Sequence, residues 1–197
     1  MNNSDLIKSV SNFVTQFLIE NLSHYFYFHN LQHTKEVVAA ANEIAAQHHL
    51  SEEECTILLT AAWFHDCGYT VTYIGHEEKS KKIATNFLKD FGCDETFINS
   101  VLNCIEATKF PQRANSLLEE ILCDADLYHF TKPNYPAYEQ ALRKEFEIHL
   151  GKNYTDEQWQ KENYSLLAEH SYYTNYGKKV LEKYKAATLQ LLNNKTK

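Results

Sequence analysis

Glycine and proline are scarce in this 197-residue chain, at five and three residues. These residues punctuate strands and tight turns, and their scarcity argues against a strand-rich or loop-rich fold. No stretch keeps the apolar–polar alternation of a half-buried strand. No apolar run approaches the ~20 residues that cross a bilayer. The opening "MNNSDLIKSVSNFVTQFLIENL" lacks the charged start, apolar centre and small-residue cleavage site of a signal peptide. A cytoplasmic protein with no membrane partner is the expectation. The five cysteines, Cys55, Cys67, Cys93, Cys104 and Cys123, form no C-x-x-C pair. They read as reduced, buried thiols, with Cys67 and Cys123 as small packing residues. No Lys/Arg run stands out and the net charge is −7, which argues against a nucleic-acid partner. A nucleotide substrate stays open, since it needs only a local cation. There is no Gly-rich P-loop and no Walker lysine, so ATP-driven work is not indicated.

What the chain does have is helical periodicity almost throughout. The spacing predicts a helix over about 5–22 and a second over about 31–48, with Val37, Val38, Ala41 and Ile44 inward. "SEEE" at Ser51–Glu54 is a capping box opening a third helix that ends near Asp66. A fourth covers about 77–91 and stops at Gly92, and a fifth runs from near Asp94 to before Pro111. "SLLE" at Ser116–Glu119 opens a sixth, and Pro133 and Pro136 mark a connection. One helix follows with Tyr138, Leu142 and Phe146, one with Trp159 and Leu166, and a last with Val180, Leu181, Tyr184 and Leu189. The fold class is all-α, a single-domain helical bundle over 1–197. Its motif-bearing core covers about 25–130, with C-terminal helices over about 134–195 packed on it.

Several polar residues fall on the apolar stripes. His33 lies four residues before Val37 and shares its face. His65 follows Leu58 and Ala61. Asp126 follows Leu118 and Leu122, while Asp124 lies on the neighbouring stripe with Leu117, Ile121 and Tyr128. "AAWFHDCGY" ends an apolar run with two ionisable groups side by side, His65 and Asp66. A buried carboxylate is costly unless it is paired or bound to a metal. A helix cap, an ion pair and a pair of metal ligands each satisfy that requirement. Imidazole and carboxylate together suit several divalent metals.

The segments "HNLQHTKEVV", "AAWFHDCGY" and "CDADLYHF", with "HEEKSKKIA", "ATKFPQ" and "LAEHSYYT", resemble the HD superfamily of metal-dependent phosphohydrolases. The likeness spans about 25–174. It implies that His33, His65, Asp66 and Asp126 are metal ligands, the "A-D" alignment favouring Asp126 over Asp124. Asp124 then orients a ligand histidine or a water from behind. One divalent ion is implied, whether manganese, iron, zinc, nickel, cobalt or magnesium. Binuclear members add two histidines. His76 fits the first, but no histidine stands on the helix ending near Pro111, so a second metal is expected to be weaker. The activity implied is hydrolysis of a small phosphorylated molecule, with a nucleotide in view. Thr108, Lys109 and His170 are substrate contacts, His76, Lys109 and Asp124 are catalytic candidates, and the C-terminal helices close one side of the pocket. Asn30 caps the second helix. Two alternatives remain: a non-catalytic nucleotide or metal sensor on the same scaffold, and a di-iron oxygenase related to myo-inositol oxygenase, which "CDADLYHFTK" locally resembles.

Overall fold

The computed structural model describes residues 3–195. Among them are α1 (Asn3–Asn21), α2 (Leu31–Ala45), α3 (Glu52–Phe64), α4 (His76–Phe91), α5 (Glu95–Ala107), α6 (Leu117–Asp126), α7 (Tyr135–Leu150), α8 (Asp156–Glu169) and α9 (Glu182–Lys195). Short 3-10 turns follow α3 (Cys67–Thr70) and α6 (Leu127–Thr131), and a π turn (Gly177–Leu181) leads into α9. The described residues contain no strand, and the fold is all-α as expected. No described helix is long and apolar enough to cross a membrane.

Local chemistry sets the helix starts. Asn30 accepts from the amides of Gln32 and His33 and caps α2. Ser51 and Glu54 form the reciprocal capping box of α3. Ser116 caps α6, but Glu119 reaches back one residue further and accepts from the Asn115 amide at 2.7 Å. Thr155 and Gln158 build a capping box for α8 that the sequence reading passed over. The second helix ends at Ala45, three residues earlier than expected, where Gln47 and His48 turn back onto the carbonyls of Ile44 and Ala45.

α3 is the hub. Its residues from Thr56 to Phe64 are buried almost without a break, and it packs against α1, α2, α5 and α6. Around it lie Leu6, Val10 and Val14 of α1, Val37, Ala41 and Ile44 of α2, and Ile98, Val101 and Ile105 of α5. A smaller apolar cluster, Phe130, Tyr135 and Leu167, joins α7 and α8 to the turn after α6. Gly68 brings the end of α3 against the start of α4. A Cβ there would meet the His76 carbonyl oxygen at 1.9 Å, and the Gly68 amide donates to Ser80 Oγ at 2.8 Å.

Candidate metal centre

The end of α3 delivers His65 and Asp66 to the point where α2 and α6 converge. The Asp66 Oδ2 atom lies 3.2 Å from His65 Nε2 and 3.4 Å from His33 Nε2. Asp126 approaches the same two imidazoles, its Oδ1 being 3.3 Å from His33 Nε2 and 3.7 Å from His65 Nε2. His33, His65 and Asp66 are buried, and their ligand atoms all lie within 4.8 Å of one another. His65 Nδ1 donates to the Ala62 carbonyl at 2.8 Å, which fixes the tautomer and turns the Nε2 lone pair to the cluster.

Three atoms here carry the argument for a cation. His33 Nε2, His65 Nε2 and Asp66 Oδ2 are buried and make no hydrogen bond. Buried polar atoms without a partner are rare in folded proteins and call for an explanation. All three orphaned atoms are good donors to a divalent metal, and they converge on one point. The donor set is nitrogen and oxygen, suited to zinc, manganese, iron and related ions.

The electrostatics agree. Burial disfavours the charged form of Asp66, yet His65 and His76 outweigh it and hold the carboxyl well below its ordinary range. Burial likewise acts against ionised Asp126, but the nearby imidazoles of His33 and His65 pull its carboxyl down. Burial alone would depress His65, and the Asp66 charge reverses this. The acids are thus held as carboxylates, the form that binds metal.

His76 opens α4 and points Nε2 at the other oxygen of Asp66, Oδ1, at 3.4 Å, while its Nδ1 faces the Tyr73 carbonyl at 3.3 Å. Its side chain keeps 15% of its exposure, at the edge of the cluster. Gln112 donates to Asp126 Oδ2 at 3.0 Å. A small cleft of about 110 Å³ between α2 and the turn after α6 reaches His33 and Asp126, with His129, Tyr128 and Lys132 along it.

Not every sequence candidate arrives there. Asp124 is fully buried, but it faces away. Its Oδ1 accepts from the Tyr173 amide at 2.7 Å, and its Oδ2 accepts from the Thr174 amide at 2.9 Å and hydroxyl at 2.7 Å. The expectation that Asp124 orients a ligand histidine is corrected: both oxygens are committed to the segment before α9. The side chain of Lys109 is 51% exposed, and among the described residues its ion pair is with Glu106, at 3.9 Å. Thr108 donates its hydroxyl to the Ile105 carbonyl and caps the end of α5. His170 ends α8, its ring set edge-on to Phe130 and Tyr172. Cys67 and Cys123 donate to the carbonyls of Trp63 and Ala107, and burial holds both thiols protonated.

Other residues came to the site unannounced. His29 lies just before α2, with its ring centroid 5.8 Å from that of His33. Its Nδ1 meets Glu145 Oε2 at 2.6 Å, and Glu145 Oε1 accepts from the amides of Phe28 and His29. Tyr69 stacks on His76 at 3.8 Å and on His29 at 4.3 Å. His29 stands four residues before His33, and that spacing was the one available signal. Glu145 gave none, because its partners Phe28, His29 and Tyr73 lie 72 to 117 residues upstream.

A family model described as "HD domain" matches residues 30–131, about half of the chain. Among solved structures, a crystal structure of a protein from Lactobacillus plantarum, a structural-genomics target, aligns with a TM-score of 0.72. It shares 15% identity, and the alignment covers 100% of this chain and 97% of that one. At that identity the likeness speaks for the fold alone. None of the curated proteins compared matches.

Proposed function

Because the chain belongs to the HD domain family, we propose that it is a metal-dependent phosphohydrolase acting on a small phosphorylated molecule, with nucleotides the first class to test. The observation that carries this reading is the convergence of three buried, unpartnered donor atoms from His33, His65 and Asp66. A divalent cation bound there would draw charge from phosphoryl oxygens and acidify a water near neutral pH.

The chain's own groups divide the remaining work. His33, His65, Asp66 and Asp126 would hold the ion, with Gln112 steadying Asp126 through its Oδ2 atom. Ala62 fixes the His65 tautomer. His76 is the partly exposed imidazole beside Asp66, placed to exchange a proton with substrate or water. Burial around His33 and His65 keeps bulk water from competing for the donors.

The test is a screen of nucleotides and sugar phosphates for phosphate release, with several divalent metals added to chelator-stripped protein. Metal-dependent release is expected, and it should vanish in His65→Ala. Tight stoichiometric nucleotide binding without turnover, under every metal, would reject the enzyme in favour of a sensor.

A further inference from the structure

A cavity of about 790 Å³ opens between α7, α8 and the end of α9, and none of its lining residues belongs to the metal centre. Glu139 of α7 lines it and keeps only 7% of its exposure. Both hydrogen bonds that Glu139 accepts fall on one oxygen. Its Oε2 takes the Trp159 indole N–H at 2.9 Å and the Asn163 Nδ2 group at 3.0 Å. The Tyr135 hydroxyl donates to Asn163 Oδ1 at 2.5 Å and so turns the NH₂ of that amide toward Glu139. Among the described residues Oε1 has no partner, and Glu139 makes no ion pair. Two neutral donors do not cancel a buried charge, and an unpaired buried carboxylate is costly.

The cation that helical spacing offers to Glu139 is engaged elsewhere. Arg143 stands one turn further along α7 and lines the same cavity. Its guanidinium meets Asp156 at 2.7 Å, Glu147 at 3.3 Å and the Tyr154 carbonyl at 2.5 Å. Lys161, the other cation of the lining, is exposed and forms no ion pair with Glu139. Asp156 and Glu157 add negative charge to the wall, and Trp159 and Tyr164 add aromatic surface. Carboxylate and aromatic faces together attract ammonium and guanidinium groups. The volume lies within the range of small-molecule sites, roughly 300–1,000 Å³.

We propose that this cavity binds a small organic cation, whose ammonium or guanidinium group pairs with the Glu139 carboxylate at Oε1. The site is separate from the metal centre and does not depend on the phosphohydrolase reading.

The experiment is a nuclear magnetic resonance titration of the isotope-labelled full chain with n-butylammonium, n-butylguanidinium and, as the uncharged control, n-butanol. It is run at about 0.15 M salt, where exposed ion pairs are screened. The chain has two tryptophans, Trp63 and Trp159. The Trp159 indole N–H sits on Glu139 and reports the site, while that of Trp63, buried in the core, is the internal control. A saturable shift of the Trp159 signal is expected with one or both cations, with Trp63 unmoved and butanol silent. The cation that binds more tightly identifies the head group. Glu139→Gln should weaken binding by roughly 10–100-fold, through loss of a charge-assisted contact. Should that variant fail to fold, Leu192→Phe, which fills the cavity and spares the carboxylate, must show the loss. No saturable shift with either cation would overturn the site. So would equal shifts with butanol, or affinity undiminished in Glu139→Gln, or in Leu192→Phe where Glu139→Gln does not fold.

Discussion

Asp124→Asn separates two acids that stand two residues apart on α6. The wild-type carboxylate accepts three hydrogen bonds, from the amides of Tyr173 and Thr174 and the hydroxyl of Thr174, at 2.7–2.9 Å. An asparagine retains one acceptor. If its oxygen stays on the Tyr173 amide, its NH₂ group faces the Thr174 N–H, donor against donor. A lost charge-assisted bond costs roughly 1.5–3 kcal/mol and a stranded buried N–H about 1–3. We expect a loss of about 3–4 kcal/mol in all. At roughly 2–4 °C per kcal/mol for a chain of this size, Tm falls by about 6–16 °C. Metal content should be unchanged, because Asp124 does not touch the cluster. Asp126→Asn should do the opposite, losing metal while the metal-free protein melts close to metal-free wild type. Thermal melts with and without chelator, with metal counted by mass spectrometry, decide the matter. Loss of metal from Asp124→Asn with an unchanged metal-free Tm would refute the assignment and return Asp124 to the centre.

Other expectations follow from the same geometry. His65→Ala and Asp66→Ala should each abolish tight metal binding and with it the ligand-dependent part of the Tm; retained metal in both would sink the cluster. Lys109→Met should keep kinetics within about threefold of wild type, since the ammonium faces Glu106 at the surface; a fall beyond tenfold in catalytic efficiency would restore it as a phosphate contact. Gly177→Ala should cost about 1–3 kcal/mol, because its Cβ would lie 2.4 Å from Asp124 Oδ2 and 2.6 Å from Tyr172 Cβ; urea denaturation measures it, and an unchanged midpoint would mean the segment yields freely. Burial, with Lys185 nearby, pushes His170 down to about 4 from its ordinary 6.5. The unfolded chain therefore takes up a proton first as pH falls, so stability declines between pH 6.5 and 4, at up to about 1.4 kcal/mol per pH unit. His170→Gln should remove that part of the acid loss, and an identical decline in the variant would show that the folded imidazole titrates normally.

The helices and the heart of the centre were legible because both are written locally. The stripe carrying His33 with Val37, and the one carrying Leu58, Ala61 and His65, predict which side chains turn inward, and they do. Capping residues such as Ser51 and Asn30 fixed starts to within a residue. Asp124 and Asp126 were harder. On a ten-residue helix buried on more than one side, periodicity shows that both acids are inside but not what each meets. Glu145 was out of reach for a related reason. It lies on a helix whose face turns to a loop 116 residues away, and no spacing rule spans that distance. Lys109 is ambiguous in sequence because a cation near a motif looks the same whether it faces a ligand or a neighbouring glutamate.

The Glu145 contact also bears on the order in which the site assembles. The His65–Ala62 bond joins residues three apart and forms with the helix itself. Closing His29 onto Glu145 must bring together residues separated by 116 positions. Loop-closure entropy grows with that separation, and non-local contacts form slowly. During refolding from denaturant, the ring of His65 should be set before that of His29. Stopped-flow mixing with a metal-sensitive dye should then resolve a fast uptake that Glu145→Gln leaves alone.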